Sequence, residues 1–305
     1  MLRLLLPLVL LLGACAPRPP TDAAARLAVE LPELPPAKRF AAARPDAPSR
    51  SNADIARDFL DLAFTLESGR SLPVFTRFEE PVTLRLTGRA DPVLAKDLRD
   101  LLRRLRAEAG IDIRLTRGSD AHITVESVPG ASIRRALPQA ACFVVPNVAS
   151  LEDYVRNRRG ARTAWSELRS RERVAIFVPA DVSGQEARDC LHEELAQALG
   201  PLNDLYRLSD SVFNDDNMHT VLTGFDMLIL RAYYAPELEN GMSRAEVARR
   251  LPAILARLNP EGRSVPSRPL PSTPPAWQEA IQTALGPGAG PAARRAAAER
   301  AVAIA

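Results

Sequence analysis

The stretch EELAQALGPLND, from Glu193 to Asp204, carries polar groups at spacings that suit chemistry. Leu195, Ala196, Ala198 and Leu199 mark it as a helix with a buried side, and on a helix Glu193 and Gln197, four apart, project from one face. Gly200 permits a sharp turn, after which Asn203 or Asp204 can swing back toward that face. The product is a three-point site of oxygen donors. Zinc prefers imidazole nitrogen and thiolate sulfur, so a set of carboxylate and amide oxygens suits it poorly. Calcium, magnesium and manganese accept oxygen ligands but usually want more than three. FNDDN, Phe213 to Asn217, supplies more carboxylates if it folds beneath the helix. Glu194 is then the candidate general base.

Other nucleophiles and bases do not assemble into a site. The fourth residue after His192 is Ala196, His122 falls in a strand and His219 in a loop, so each histidine reads as a satisfied or exposed side chain. Ser183 and Ser211 lack the context of a nucleophile elbow. Glu194 with Asp204 makes a carboxylate pair, which alone does not identify a glycosidase. The alternative is structural. Glu193, Glu194 and Gln197 hydrogen-bond inside a helix packed under a sheet, Gln197 reaching Glu193 and the following loop, while Asn203 and Asp204 close the turn. Buried carboxylates require such partners.

The elements around this stretch follow from periodicity and caps. SNADIARDFLDLAFTLES has Ile55, Phe59, Leu62 and Ala63 at helical spacing, with Asn52 or Asp54 as cap. PVTLRLTG alternates as a strand. DPVLAKDLRDLLRRLRAEAG is capped by Asp91, carries Pro92 in its first turn and stops at Gly110, with Leu94, Leu98, Leu101, Leu102 and Leu105 on one face. IDIRLTRG, AHITVESV and AACFVVPN are short strands, SLEDYVRNRRG a short helix and RVAIFVPAD a strand buried on both faces. Ser183, with Glu186 three residues on, caps the helix that carries the site, and Ser243 with Glu246 caps another. The expected class is α+β with a C-terminal helical part.

The order of these elements, and the Glu-x-x-Gln-x-x-Gly-x-x-Asn spacing of the site helix, resemble the zincin peptidases of the metzincin branch, whose helix reads H-E-x-x-H-x-x-G-x-x-H. Glu193, Gln197 and Asn203 stand where the three histidines would be, and Glu194 stands at the catalytic glutamate. SVF resembles the Ser-Ile-Met turn, with Phe213 at the methionine position, and LTGFDMLILRAYY resembles the closing helix. Cys142 to Met242 also resembles a family of proteobacterial lipoproteins defined only by a domain of unknown function, with its EE…Q.LG..ND, SVFND and GM signposts. The likeness to the zincin peptidases implies a degenerate metzincin-like fold over residues 51–260, a twisted mixed sheet over two long helices, and offers no established activity.

The termini add an address. Arg3, the apolar run Leu4–Leu12 and Leu12-Gly13-Ala14-Cys15 read as a secretory signal over residues 1–14 ending in a lipobox, which implies acylation of Cys15. Residues 15–50 are Pro- and Ala-rich, a stiff tether. Cys142 and Cys190 remain, and in an exported protein they are expected to bridge. Residues 261–305 read as a Pro-rich linker followed by a short helix and an Ala/Arg-rich tail. With a net charge of +3 and no basic stripe interleaved with aromatics, nucleic acid is not an expected partner.

The expectation is a lipid-anchored, periplasm-facing envelope protein, on the outer membrane by preference. Its degenerate domain binds an envelope protein or a peptide and catalyses nothing. No cofactor is expected, with zinc disfavoured and an oxygen-ligated divalent ion the exception. The alternatives are a metallopeptidase-like hydrolase holding a metal on Glu193, Gln197, Asn203 and Asp204 with Glu194 as base, and a purely structural lipoprotein.

Overall fold

The computed structural model describes residues 50–138, 140–214, 221–270, 275–285 and 288–304. The acyl-acceptor candidate Cys15, the signal, nearly all of the tether, and Asp215, Asp216, Asn217 and His219 lie outside them.

Helix α1 (Asn52–Phe64) opens the described chain. Its cap is Ser51, whose hydroxyl accepts from the Asp54 N–H, in place of Asn52 or Asp54. Strand β1 (Val82–Gly88) buries Val82 and Leu84, as its alternation requires. Helix α2 (Pro92–Arg104) is capped by Asp91 and prolonged by a π-helical turn, Leu105–Ala109, before Gly110 turns left-handed at φ 71°. Its four leucines and Leu105 of that turn are all buried, each worth about 2 kcal/mol of transfer free energy.

Strands β2 (Ile113–Leu115) and β3 (Ile123–Val128) follow, and then a short helix, α3 (Gly130–Ala136), that periodicity did not announce. Strand β4 (Phe143–Pro146), helix α4 (Leu151–Asn157) and strand β5 (Val174–Pro179) complete the sheet region. The five strands lie in the order β2-β1-β3-β5-β4. All neighbours are parallel except β4, which runs antiparallel to β5 at the edge.

Every residue of β5 is buried because both faces of the sheet are covered. Val174, Ile176 and Val178 enter the main core with α1, α2 and the later helices. Ala175 and Phe177 enter a smaller core with Ile133, Phe143 and Val145, against which Tyr154 packs.

Helix α5 (Gly184–Leu199) runs under the sheet against β5, β4 and α2. Ser183 accepts from the Glu186 N–H, the forward half of the expected capping box. Helix α6 (Gly224–Tyr233) and helix α7 (Arg244–Leu258) carry reciprocal boxes, Thr223 with Asp226 and Ser243 with Glu246. Past α7, the segment read as a linker straps α1: Asn52 and Asn259 exchange two hydrogen bonds of 3.0 Å, and Ser267 Oγ and the Arg268 N–H donate to the Asp54 carboxylate. Helices α8 (Pro275–Leu285) and α9 (Pro291–Ile304) pack on each other, with Ala280, Ala297 and Ala301 buried. The Ala/Arg-rich tail is thus a helix, its small residues allowing close approach.

Candidate functional site

Helix α5 is pinned near its middle and at its C-terminal end. A disulfide joins Cys190 to Cys142, just ahead of β4, and closes a loop with a sequence separation of 48. Such a bridge stabilises by about 4 kcal/mol through the unfolded chain. At the C-terminal end, the orphan carbonyls that a buried helix must satisfy find side-chain donors. The buried Arg171 donates to the carbonyls of Gln197 (2.6 Å), Ala198 (2.8 Å) and Gly200, and Tyr234 Oη donates to Leu199 O at 2.9 Å. Arg171 places its charge at the negative end of the helix dipole and its guanidinium 5.0 Å from the centre of the Trp165 ring. Burial pushes its pKa below the ordinary arginine value. Nothing in the sequence singled out Arg171; its only mark is an arginine just before an apolar strand.

Gly200 is required by contact, since its φ of −173° suits any residue. A Cβ there would stand 2.8 Å from the ring of Tyr233, which also packs at a tilt against Phe75 and Phe59. Beyond Gly200 the chain does not swing back to Glu193 and Gln197. Leu202 N–H donates to Leu62 O at 3.0 Å and Asn203 Nδ2 to Asp61 O at 3.1 Å, so this turn satisfies the last carbonyls of α1. Asn203 Oδ1 accepts from the Asp204 N–H at 3.0 Å.

Gln197 donates to Glu67 Oε1 at 3.1 Å, with a long contact of 3.5 Å to Glu193 Oε1. Its second partner is the segment after α1, not the loop after α5. Glu67 was invisible to sequence reasoning because it lies 130 residues away.

The histidines are structural where described. His192 Nδ1 accepts from the Leu222 N–H at 3.1 Å, and burial, with Arg104 and Arg188 nearby, lowers its pKa to about 3. His122 Nδ1 accepts from the Thr83 N–H at 3.0 Å. Ser211 donates to the fully buried Asp226 at 2.5 Å, and the N–H groups of Val212 and Thr223 donate to the same carboxylate. Burial raises the Asp226 pKa against these bonds. Phe213 follows in the main core, its carbonyl accepting from the Leu205 N–H. Ser211 therefore anchors a turn, and Ser183 caps a helix.

Glu193, Glu194 and Gln197 face a cleft of about 660 Å³, whose lining runs from Leu66–Ser68 past β4 to Tyr154, Arg158 and Trp165. Asn203, Asp204 and Phe213 are not part of that lining. The described residues offer a zincin's zinc a poor set. Of the three motif positions, Asn203 is spent on α1 and Gln197 presents its N–H to Glu67, and among the described residues no imidazole and no free thiol lines the cleft. Among the described residues no group of three His, Cys, Asp or Glu side chains is placed to hold a metal.

The arrangement defines a class: a mixed α+β domain with a polar cleft between the antiparallel edge strand and a helix tied to that strand by a disulfide. Residues 52–253 match the family described as protein of unknown function (DUF2927), and the chain belongs to that family. No curated protein and no solved structure matches the chain. No helix among the described residues is long and apolar enough to cross a membrane.

Proposed function

We propose that the protein is an exported, lipid-anchored binding module. In this reading a peptidase-like frame of the metzincin type, without its zinc, holds an extended segment of another envelope protein against β4. Support for the frame comes from the strand order and the lone antiparallel edge strand, with the motif helix directly after β5. Support for the anchor is the Leu-Gly-Ala-Cys ending at Cys15.

The observation that carries the binding reading is the outer edge of β4, with which no strand pairs among the described residues. The Asn147 N–H donates to Arg173 O, and the register pairs Val145 with Ala175 and Phe143 with Phe177. Residues of that parity turn their backbone toward β5, so Val144 turns its N–H and C=O to the outer edge, along the cleft. An edge with a cleft beside it is the setting for strand addition. Pro146, which has no N–H, limits how far an added strand can run.

Val144→Pro removes the outward N–H without touching a bond to β5. It is expected to abolish capture of peptides from a random library while the circular dichroism spectrum stays unchanged; undiminished capture would refute the reading. The competing reading is a hydrolase with Glu194 as base, supported by the place of Glu194 on the cleft wall. Metal content after dialysis against zinc, manganese, calcium and magnesium separates the two. A stoichiometric ion lost in a Glu193→Ala, Gln197→Ala double variant would favour the hydrolase.

A further inference from the structure

We infer that the segment taken up along β4 places an acidic side chain, glutamate or aspartate, at the residue that lies opposite Phe143, where Arg158 receives it. This rests on the strand-addition reading and adds its specificity. Phe143 and Val145 belong to the smaller core, with α3 and α4, whereas Val144 packs toward the main core on the other face of the sheet. Directly opposed residues of paired strands share a face. The residue that exchanges backbone hydrogen bonds with Val144 therefore sends its side chain toward α5. Its neighbours in the bound segment send theirs toward α3 and α4.

That face is basic. Residues 129–163 carry six arginines and two carboxylates, a net of +4, where the whole chain carries +3. Both carboxylates are taken, Glu152 by Arg156 at 2.7 Å and Asp153 by Arg162 at 3.2 Å. Arg158 follows the last turn of α4 and donates from Nη1 to Ala136 O at 2.7 Å, which brings the ends of α3 and α4 together. Arg135 precedes Ala136 in the last turn of α3, and Arg159 follows Arg158. All three arginines are exposed, and none makes an ion pair among the described residues. Arg158 lines the cleft with Leu137, Phe143 and Tyr154, and the Tyr154 ring centre lies 4.9 Å from that of Phe143. A side chain arriving over Phe143 thus comes between Tyr154 and Arg158. One N–H of Arg158 is spent on Ala136, and the planar fork keeps others for a carboxylate. Burial raises the Tyr154 pKa against the pull of Arg158, so its hydroxyl stays protonated as a second donor. Glu67, Glu193 and Glu194 belong to the α5 side of the cleft, so the preference is for charge at one position of the segment and not along its length.

The experiment uses the purified full-length chain and positional-scanning pools of acetylated, amidated heptapeptides. One position at a time is fixed as glutamate, aspartate, glutamine or lysine, and binding is read by calorimetry. At one position the glutamate pool is expected to bind about three-fold more tightly than the glutamine pool, or better, as befits an ion pair at a cleft mouth. That margin should shrink as salt is raised from 50 to 500 mM. Arg158→Gln should bring the two pools level, and Arg158→Lys should keep part of the margin. Equal binding of the glutamate and glutamine pools at every position, a preference for lysine, or a margin that survives Arg158→Gln overturns the inference and leaves strand addition standing. So does binding to phosphatidylglycerol vesicles that weakens in an Arg158→Gln, Arg159→Gln double variant while the pools show no glutamate margin, a result that assigns the arginines to a lipid surface. Failure of every pool to bind removes strand addition, and the inference with it.

Discussion

At the scale of single residues, the site helix is held by side chains whose value depends on burial. Arg171 satisfies three carbonyls at the end of α5 in a place where water cannot replace it. Arg171→Met keeps the volume and leaves those acceptors bare, so it is expected to cost on the order of 3 kcal/mol or more in urea unfolding. Arg171→Lys should recover only part, since a single ammonium lacks the planar fork. His192 gives a pH signature. Burial first, then Arg104 and Arg188, hold its folded pKa at about 3, below the ordinary 6.5. The neutral form is therefore the folded one, and its contribution is complete above pH 6.5. It is lost as pH falls from 6.5 toward 3, at about 1.4 kcal/mol per pH unit for one proton. Unfolding curves at pH 7, 6 and 5 should show this slope, and His192→Asn, which keeps an acceptor toward the Leu222 N–H, should flatten it.

At the scale of elements, the relation that matters is between β4 and α5. Among the described residues the edge strand has a single neighbouring strand, and the Cys142–Cys190 bridge links it to the site helix. Cys142→Ser with Cys190→Ser is expected to lower stability by about 4 kcal/mol. It should also speed hydrogen exchange of the Phe143 and Val145 amides, which bond β5, more than that of β3 in the sheet interior, a comparison mass spectrometry makes directly. Equal acceleration in both strands would show that the bridge acts on the unfolded chain alone. Gly200→Ala probes the C-terminal end of α5. Its methyl meets the face of Tyr233, wedged among Phe59 and Phe75, and overpacking of this kind costs about 1–3 kcal/mol.

For the whole molecule, the folded unit extends past the residue 253 at which the family match ends. Asn259, Ser267 and Arg268 all bond the first turn of α1, and Gly262 approaches Asn52 so closely that a Cβ would stand 2.3 Å from its Oδ1. A chain ending at Leu258 forfeits these bonds and should melt about 10 °C lower, corresponding to roughly 4 kcal/mol. A chain ending at Leu270 keeps them. Among the described residues it gives up the contact of Trp277 with Tyr206, whose rings lie 5.2 Å apart, and the small α8–α9 pair.

By itself the sequence determined what short-range physics determines. The leucine stripe of α2, its Asp91-Pro92 start and Gly110 stop, the buried run of β5 and the Ser243–Glu246 box all come from caps and periods of a few residues, and the structure keeps them. The Cys142–Cys190 bridge was also legible, because only that pair was left once Cys15 was set aside. The placing of Glu193 and Gln197 on one cleft followed from helical spacing. Tertiary structure alone decided where Asn203 points, since the carbonyls at the end of α1 claimed its amide before any site could. It alone recruited Arg171, Glu67 and the Ser267–Arg268 strap, each chosen by an unsatisfied buried group far away in the chain. Local patterns record the demands of a residue's neighbours in sequence; a buried carbonyl or carboxylate takes whichever donor the packed chain brings within 3 Å.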